Sequence, residues 1–235
     1  MSVPLAIADA QSLSDDSLWH ACLFSLGIAL MAAVFAALFA IPVAYALARK
    51  RFWGKSFLEA LLTVPLVLPP TVVGYGLIVL MGRRGVVGQF VSRWFGGYTV
   101  LFRPEGAVLA AFVVALPLLY LPAKAAFVGV ERELEDVAKL LGAGRWRTFW
   151  QVSLPLARRQ IAAGLLLAFA RALGEFGATI MVLGDLAGRR TLPIVIFDAT
   201  NGQDYQAALP AVAALGAVSL AVVLLYNRLP FSRQE

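Results

Sequence analysis

The segment ERELEDVAKLLGAGRWRTFWQVSLPLARR, residues 131–159, is polar and lies between two long apolar runs. Apolar residues make up 60% of the 235 positions, charged residues only 14%, and the mean hydropathy is +0.80. This composition is typical of integral membrane proteins and lies outside the usage of soluble domains. The polar segment is therefore the part of a membrane-embedded chain that meets something in water.

Five apolar stretches are long enough to cross a bilayer. A spanning helix needs roughly 20 apolar residues, because the hydrocarbon core is about 30 Å thick and each helical residue rises about 1.5 Å. The predicted spans are residues 22–48, 57–81, 106–128, 161–184 and 206–226. Since no strand-type alternation competes with them, we predict an all-α, multi-pass membrane protein with a single domain over residues 1–235.

The basic residues are distributed unevenly between the predicted loops. One set comprises Arg49, Lys50, Arg51, Lys55, Lys124, Arg132, Lys139, Arg145, Arg147, Arg158, Arg159, Arg228 and Arg233, and the other comprises Arg83, Arg84, Arg93, Arg103, Arg189 and Arg190. The positive-inside rule places the larger set in the cytoplasm, so the N-terminus lies outside and the loop 129–160 inside. Membrane topology thus explains the net charge of +6 without a nucleic-acid partner.

The residues needed for a metal or nucleotide site are missing from the sequence. Cys22 is the only cysteine and His20 the only histidine. Residues 54–56 read GKS, like the end of a phosphate-binding loop, but the glycine required five positions earlier is Arg49. We therefore predict no catalytic residue, metal or cofactor in this chain, and we do not expect it to be an enzyme.

The polar segment has the pattern of two short amphipathic helices. Val130, Leu134, Val137 and Leu141 recur with helical spacing opposite a charged face, and GAG at 142–144 ends that helix. The aromatic residues at 146, 149 and 150 form one face of the second helix, which we expect Pro155 to limit. Periodicity alone leaves open whether this pair contacts a protein or rests among lipid headgroups.

The fixed residues of this segment resemble the coupling loop of ATP-binding-cassette (ABC) importer permeases. Asp136 precedes Gly142 by six positions, nine residues intervene, and VSLP at 152–155 closes the motif. The family usually has glutamate at the acid and alanine next, so a contact that needs the longer acid is either altered or moved to Glu135. The resemblance implies ATPase-coupling roles for Glu135, Asp136, Ala138, Gly142, Ala143, Arg145, Trp146, Leu154 and Pro155.

Further motifs narrow the resemblance to the molybdate permeases. These are LVLPP at 66–70, GY at 74–75, GRRG at 82–85, ALGEFGATI at 172–180 and TLP at 191–193. Sulfate and thiosulfate permeases are similar, and tungstate permeases somewhat less so. The resemblance implies a homodimeric pore in the bacterial inner membrane, two cytosolic ATPase subunits that bind ATP and Mg²⁺, and a periplasmic or lipid-anchored receptor that delivers the oxyanion.

Two predicted spans carry candidate pore or gate residues. Prolines at 65, 69 and 70 predict a broken second span, which suits either a pore lining or a packing kink. In the fourth span Arg171 and Glu175 share a helical face, either toward the pore or as an ion pair between subunits. The candidates are Pro69, Pro70, Thr71, Gly74, Arg171, Glu175 and Thr179.

The outer loops carry four candidate receptor-docking residues, Arg83, Arg84, Arg189 and Arg190. The alternative is that these arginines are solvated and contact no partner.

Three functions remain open at this point. An oxyanion importer subunit, with molybdate as the expected substrate, depends on partner ATPases. A secondary carrier predicts an internal repeat, which we do not find. A membrane anchor leaves the broken second span unexplained.

Overall fold

A computed structural model describes residues 15–184 and 190–229, with side chains from Ser17 onward. All regular secondary structure in this part of the chain is helical, as predicted. The elements are α1 (Asp15–Arg49), α2 (Lys55–Val67), α3 (Pro70–Met81), α4 (Val86–Trp94), α5 (Pro104–Gly129), α6 (Arg132–Leu140), α7 (Arg145–Thr148), a π-helical turn (Phe149–Ser153), α8 (Leu154–Leu173), α9 (Gly177–Leu183), α10 (Leu192–Asn201) and α11 (Tyr205–Arg228).

Four helical segments of the described chain are long and apolar enough to cross a membrane. They are Ser17–Arg49, Pro104–Gly129, Arg145–Leu173 and Tyr205–Arg228. A fifth crossing is present if α3 and α4, which meet at 47°, count as one bent span. The structure thus contains four or five apolar crossing segments, and α1, α5 and α11 contain the predicted spans 22–48, 106–128 and 206–226.

The predicted span 57–81 is two helices and not one. The chain leaves α2 after Val67, and Leu68 is extended with φ −72° and ψ 141°. Pro69 and Pro70 cause this break, because they lack backbone N–H groups and the residue before a proline is driven out of the helical region. Pro65 lies within α2 without ending it, and Pro70 occupies the first turn of α3, where a missing donor costs nothing.

The predicted span 161–184 is also interrupted. Its helix α8 begins earlier, at Leu154, and ends at Leu173, and α9 starts at Gly177. The carboxylate of Glu175 accepts a 2.7 Å hydrogen bond from the Ala178 N–H and so satisfies a donor in the first turn of α9. The Glu175 cap therefore stabilises the start of a separate helix, α9, which hydropathy does not reveal.

The expectation that Pro155 limits the second cytosolic helix is wrong. The chain passes from α7 through the π-helical turn into α8 without leaving helical geometry, and Pro155 lies in the first turn of α8. The Leu154 N–H bonds the Phe149 carbonyl, five residues back. Because the hydrogen-bond register changes here, the donor that Pro155 lacks falls at the junction of two helical geometries.

Helices α4 and α10 occupy segments that the sequence indicated only as outer loops. Val86, Phe90 and Trp94 of α4 are exposed, whereas α10 buries Leu192 and Val195. The backbone N–H of Leu192 donates a 2.7 Å hydrogen bond to the Ser25 hydroxyl of α1. A hydrogen bond therefore connects the start of α10 to α1.

Small residues allow α1, α5 and α8 to form the centre of the molecule. Alanines recur every three or four residues along one side of α1, at 29, 32, 36, 40 and 44, and each is at most 1% exposed. Helix α5 contributes a similar row at 107, 111, 115 and 123. Such rows let helix backbones approach closely, which is how helices pack when lipid supplies no hydrophobic driving force between them.

Candidate functional site

The polar segment folds into α6, a glycine turn and α7, as the periodicity predicted. Gly142 ends α6 with a left-handed φ of +86°. Its N–H bonds the Lys139 carbonyl, and the Ala143 N–H bonds the Ala138 carbonyl, both at 2.9 Å. A glycine is favoured here because it adopts positive φ without steric cost.

Glu135 anchors this segment to the membrane-spanning helices. One oxygen of its carboxylate, Oε1, accepts hydrogen bonds from Arg49 Nε at 3.0 Å, from Arg49 Nη2 at 2.7 Å and from the Ser153 hydroxyl at 2.6 Å. Arg49 Nη2 also bonds the Val130 carbonyl at 3.1 Å. The end of α1, helix α6 and the last residue of the π-helical turn therefore meet at one carboxylate, whose side chain is only 6% exposed.

Asp136, the neighbouring acid, points about 100° away from Glu135 and is exposed. Its carboxylate is 2.7 Å from Lys139 Nζ. That hydrogen bond, with the charge of Lys139, lowers the pKa of Asp136 below its usual value. Of the two acids considered for a partner contact, Asp136 is accessible and ionised, whereas Glu135 is buried and bonded to Arg49 and Ser153.

The outer surface of α6 is apolar as well as acidic. Leu140 and Leu141 are 86% and 83% exposed, and Leu134 and Val137 are also exposed. Ala138 and Ala143 are half-buried between this surface and the rest of the chain. A soluble surface rarely presents such a cluster, which is typical of a protein contact or a membrane contact.

An aromatic cluster joins α7 and the π-helical turn to α1 and α5. Phe149 is buried and packs on Tyr45 of α1 at a ring-centroid distance of 4.9 Å and on Phe127 of α5 at 6.0 Å. Trp146 stacks on Phe149, and Trp150 meets Trp146 edge-on at 5.6 Å. Both tryptophans are largely exposed. Packed aromatic rings therefore connect α7 and the π-helical turn to α1 and α5.

The broken second span packs against the broken fourth span. A Cβ atom placed on Gly74 of α3 would lie 2.9 Å from Ala178 Cα, and one on Gly177 of α9 would lie 3.0 Å from Pro70 Cβ. A Cβ at Gly74 would have to displace the α9 backbone and one at Gly177 would be tightly packed, so α3 and α9 are in close contact. Thr71 remains exposed next to this contact. The predicted pore residues of the two spans are thus neighbours.

Arg171 and Glu175 form the ion pair that their spacing predicted, at 2.7 Å between Nη1 and Oε2. Glu175 is 2% exposed and Arg171 only partly buried. Thr179 is fully buried, and its hydroxyl has no hydrogen-bond partner among the described residues. Gly174 is exposed and makes no close contact with another helix among residues 15–184 and 190–229, in contrast to Gly177.

The outer arginines are not equivalent. Arg83 and Arg84 are exposed in the turn between α3 and α4. Arg190 pairs with Asp198 of α10 at 2.8 Å, and Arg103 lies over the Tyr98 ring at 4.8 Å. Arg189 is outside the described residues.

Sequence analysis missed the anchoring residues. Arg49 was considered only as an inner positive charge, and Ser153 only as a position within a motif. Lys124 of α5 similarly pairs with Glu59 of α2 at 2.7 Å. The local sequence carries no signal for these pairs, because the partners of Arg49 and Lys124 are 86 and 65 positions away.

The family model of binding-protein-dependent transport system inner membrane components matches residues 29–230. The chain belongs to this family. Members are inner membrane components, which agrees with several apolar helices and with a transport role in place of catalysis.

Individual members differ in identity to this chain. The molybdenum transport system permease protein ModB of Escherichia coli (strain K12) is 47% identical over 183 residues, covering 77% of this chain and 80% of that protein. ModB of Haemophilus influenzae is 42% identical over 187 residues, covering 78% and 81%. The sulfate transport system permease protein CysW of Synechococcus elongatus is 33% identical over 218 residues, covering 92% and 75%.

Solved ABC transporters share the fold of this family member. A chain from the bacterial alginate ABC transporter in complex with an alginate pentasaccharide-bound periplasmic protein superposes with a TM-score of 0.72. The match covers 94% of this chain and 80% of that chain at 20% sequence identity. At this identity the similarity concerns the helical architecture alone.

Proposed function

We propose that this chain is the pore-forming subunit of an ATP-driven molybdate importer, in which α6 and α7 receive the motion of a partner ATPase. The single observation that supports molybdate as the substrate is the 47% identity to a molybdenum permease, compared with 33% to a sulfate permease. In this proposal the chain acts as a homodimer, with α6 and α7 in the cytoplasm and the N-terminus outside. The partners are two ATPases, which hold ATP and Mg²⁺, and an oxyanion receptor outside.

The loop geometry supports a docking role. An ATPase groove that accepts α6 would cover Leu140 and Leu141, which are the most exposed leucines of the loop, and would meet the ionised Asp136 at their edge. Apolar anchors with a charged rim are the usual composition of a specific protein contact. Glu135 contributes indirectly in this scheme, because it holds α6 in place from within.

The connections beyond the loop provide a route to the pore. Displacement of α6 acts on α1 through the Arg49–Glu135 pair, and displacement of α7 acts on α8 because the two are continuous. Helix α8 ends beside Glu175, which caps α9, and α9 lies against the proline break of α3. We propose that this contact opens and closes, so that Thr71 and Thr179 are successively uncovered for a weakly held anion.

Co-purification tests the docking role with two glycines that differ in backbone conformation. Gly142 has φ +86° and Gly144 has φ −66°, and neither has a heavy atom within 4 Å of an added Cβ. Gly142→Ala should therefore weaken association with the ATPase by distorting the turn, whereas Gly144→Ala should leave it intact. If both variants retain the ATPase equally, or if no ATPase accompanies the unmodified chain, the docking proposal fails.

The substrate is tested by ATP hydrolysis in the complete complex, reconstituted in liposomes with its receptor. Molybdate should stimulate hydrolysis more than sulfate at equal concentration. Stimulation by sulfate alone would transfer the assignment to the sulfate permeases. Anion uptake without any ATPase would favour a secondary carrier instead.

A further inference from the structure

An apolar groove runs along the inner part of α1 and leads into a basic pocket. The groove has a volume of about 470 Å³ and is lined by Leu38, Ile41 and Pro42 of α1 and by Trp146, Trp150 and Leu154 opposite. Arg145, Trp146 and Leu154 of this lining are also predicted coupling residues, but the proposed ATPase contact covers Leu140, Leu141 and Asp136 of α6 and leaves the apolar interior of the groove unassigned.

The groove lies at the depth of lipid acyl chains. Arg49 ends α1 and is followed by two further basic residues, so this end of the helix lies at the membrane surface. Ala37 and Tyr45 mark the two ends of the groove on α1. They lie about 18 Å and 6 Å from Arg49 along the helix axis, at about 1.5 Å per residue. A water-soluble ATPase cannot reach that depth.

The basic pocket, about 320 Å³, adjoins the groove and shares Tyr45 and Arg145 with it. Two cations of its lining are already neutralised, because Arg49 pairs with Glu135 and Lys139 with Asp136.

Three further basic side chains line this pocket, and of these Arg132 also feels the charge of Asp136. Lys50, Arg132 and Arg145 are exposed and form no ion pair within the described part of the chain. The pocket therefore presents three positive charges beside an apolar groove. Basic pockets at the ends of membrane-spanning helices suit anionic lipid headgroups.

We infer that these two adjoining cavities bind one anionic phospholipid. Its acyl chain lies in the groove against Ile41 and Trp150, and its phosphate lies among Lys50, Arg132 and Arg145. Charge complementarity selects this occupant over a zwitterionic lipid, and the apolar groove selects it over a free anion. Tryptophans beside arginine at the membrane surface match the same interface. A lipid held there would brace α7 against α1, whichever anion the importer carries.

Two tryptophans of the groove report on its occupant. Trp19, Trp53 and Trp94 can be replaced by phenylalanine, so that this chain emits from Trp146 and Trp150 alone. The emission of a complex whose chain also lacks Trp146 and Trp150 is subtracted as the contribution of the partner subunits. The complete complex is reconstituted in nanodiscs that contain a brominated phospholipid, since bromine on an acyl chain quenches nearby tryptophan. Brominated phosphatidylglycerol should quench at a mole fraction on the order of a hundredfold lower than brominated phosphatidylcholine, given three cations that form no ion pair.

A matched pair of variants tests the charge selection. Lys50→Gln with Arg132→Gln should bring the two lipids to nearly equal quenching. Arg158→Gln with Arg159→Gln removes the same charge from exposed positions of α8 outside both cavities, and should retain the preference. Excess inorganic phosphate should leave quenching by phosphatidylglycerol unchanged.

Four results would overturn the inference. Equal quenching by both lipids in the unmodified complex would exclude headgroup selection, and absence of quenching would mean that protein covers the groove. Equal loss of preference in both double variants would show a general surface-charge effect. Displacement by phosphate would assign the pocket to a free anion. ATPase co-purification, measured on the same samples, separates these failures from a failure of the transport proposal.

Discussion

Replacing Glu135 by glutamine removes one charge from a buried ion pair without changing the shape of the side chain. Arg49, only 13% exposed, would keep its charge without a carboxylate. Removing one partner of a buried pair costs about 3–5 kcal/mol, because the remaining charge is desolvated and unpaired. We expect the lower end, about 3 kcal/mol, since the Arg49 Nη2 bond to the Val130 carbonyl survives.

This loss is measurable as a shift in thermal unfolding. For a chain of this size about 3 kcal/mol corresponds to a decrease in Tm of about 6–12 °C. The assay is tryptophan fluorescence of the detergent-solubilised protein, because Trp146 and Trp150 lie in the same loop. Asp136→Asn is the matched control, since it makes the same chemical change one residue away, on an exposed side chain. We expect no resolvable change in its Tm.

A double variant separates the pair from its single residues. Arg49→Met combined with Glu135→Gln leaves no buried charge at this site, so it should recover part of the stability lost in Glu135→Gln alone. If the two single losses simply add, or if Glu135→Gln behaves like Asp136→Asn, the Arg49–Glu135 pair does not anchor the loop.

Three further expectations follow from local geometry. Gly74→Ala should lower Tm by several degrees, because its Cβ would lie 2.9 Å from two atoms of α9, whereas Gly76→Ala, with open space around its Cβ, should not. Glu175→Gln should destabilise by about 1–3 kcal/mol in a thermal melt, because the partner guanidinium loses its carboxylate. Lys139→Gln should raise the pKa of Asp136 toward its ordinary value in an NMR titration. The pKa of Asp136 is lowered in the folded chain, so the stabilisation by the Asp136–Lys139 pair is present above the ordinary value of 3.8. It disappears as pH falls through the lower folded pKa. An unchanged Asp136 pKa in Lys139→Gln would contradict this assignment.

Composition and motif spacing predicted the membrane class, three of the spans and the two-helix form of the polar segment. Hydropathy succeeds at this because each residue contributes to membrane insertion nearly independently of its distant neighbours. The prolines at 69 and 70 likewise act locally, so the break in the second span was predictable, and it separates α2 from α3. The break after Leu173 was missed because it depends on a cap and leaves the hydropathy unchanged.

Long-range packing assigned the roles of the two neighbouring acids. Glu135 and Asp136 have nearly the same chemistry, and no local rule says which of them turns inward. Adjacent residues of a helix point about 100° apart, so the approach of Arg49, 86 positions earlier, buries one acid and leaves the other in water. The groove beside Trp146 likewise depends on long-range packing, because it forms where α1 and α7 meet. The primary sequence was sufficient to identify residues 131–159 as a polar segment with amphipathic helices. The position of its charges relative to α1 required the folded chain, because ion pairs and cavities arise from residues that are neighbours only in space.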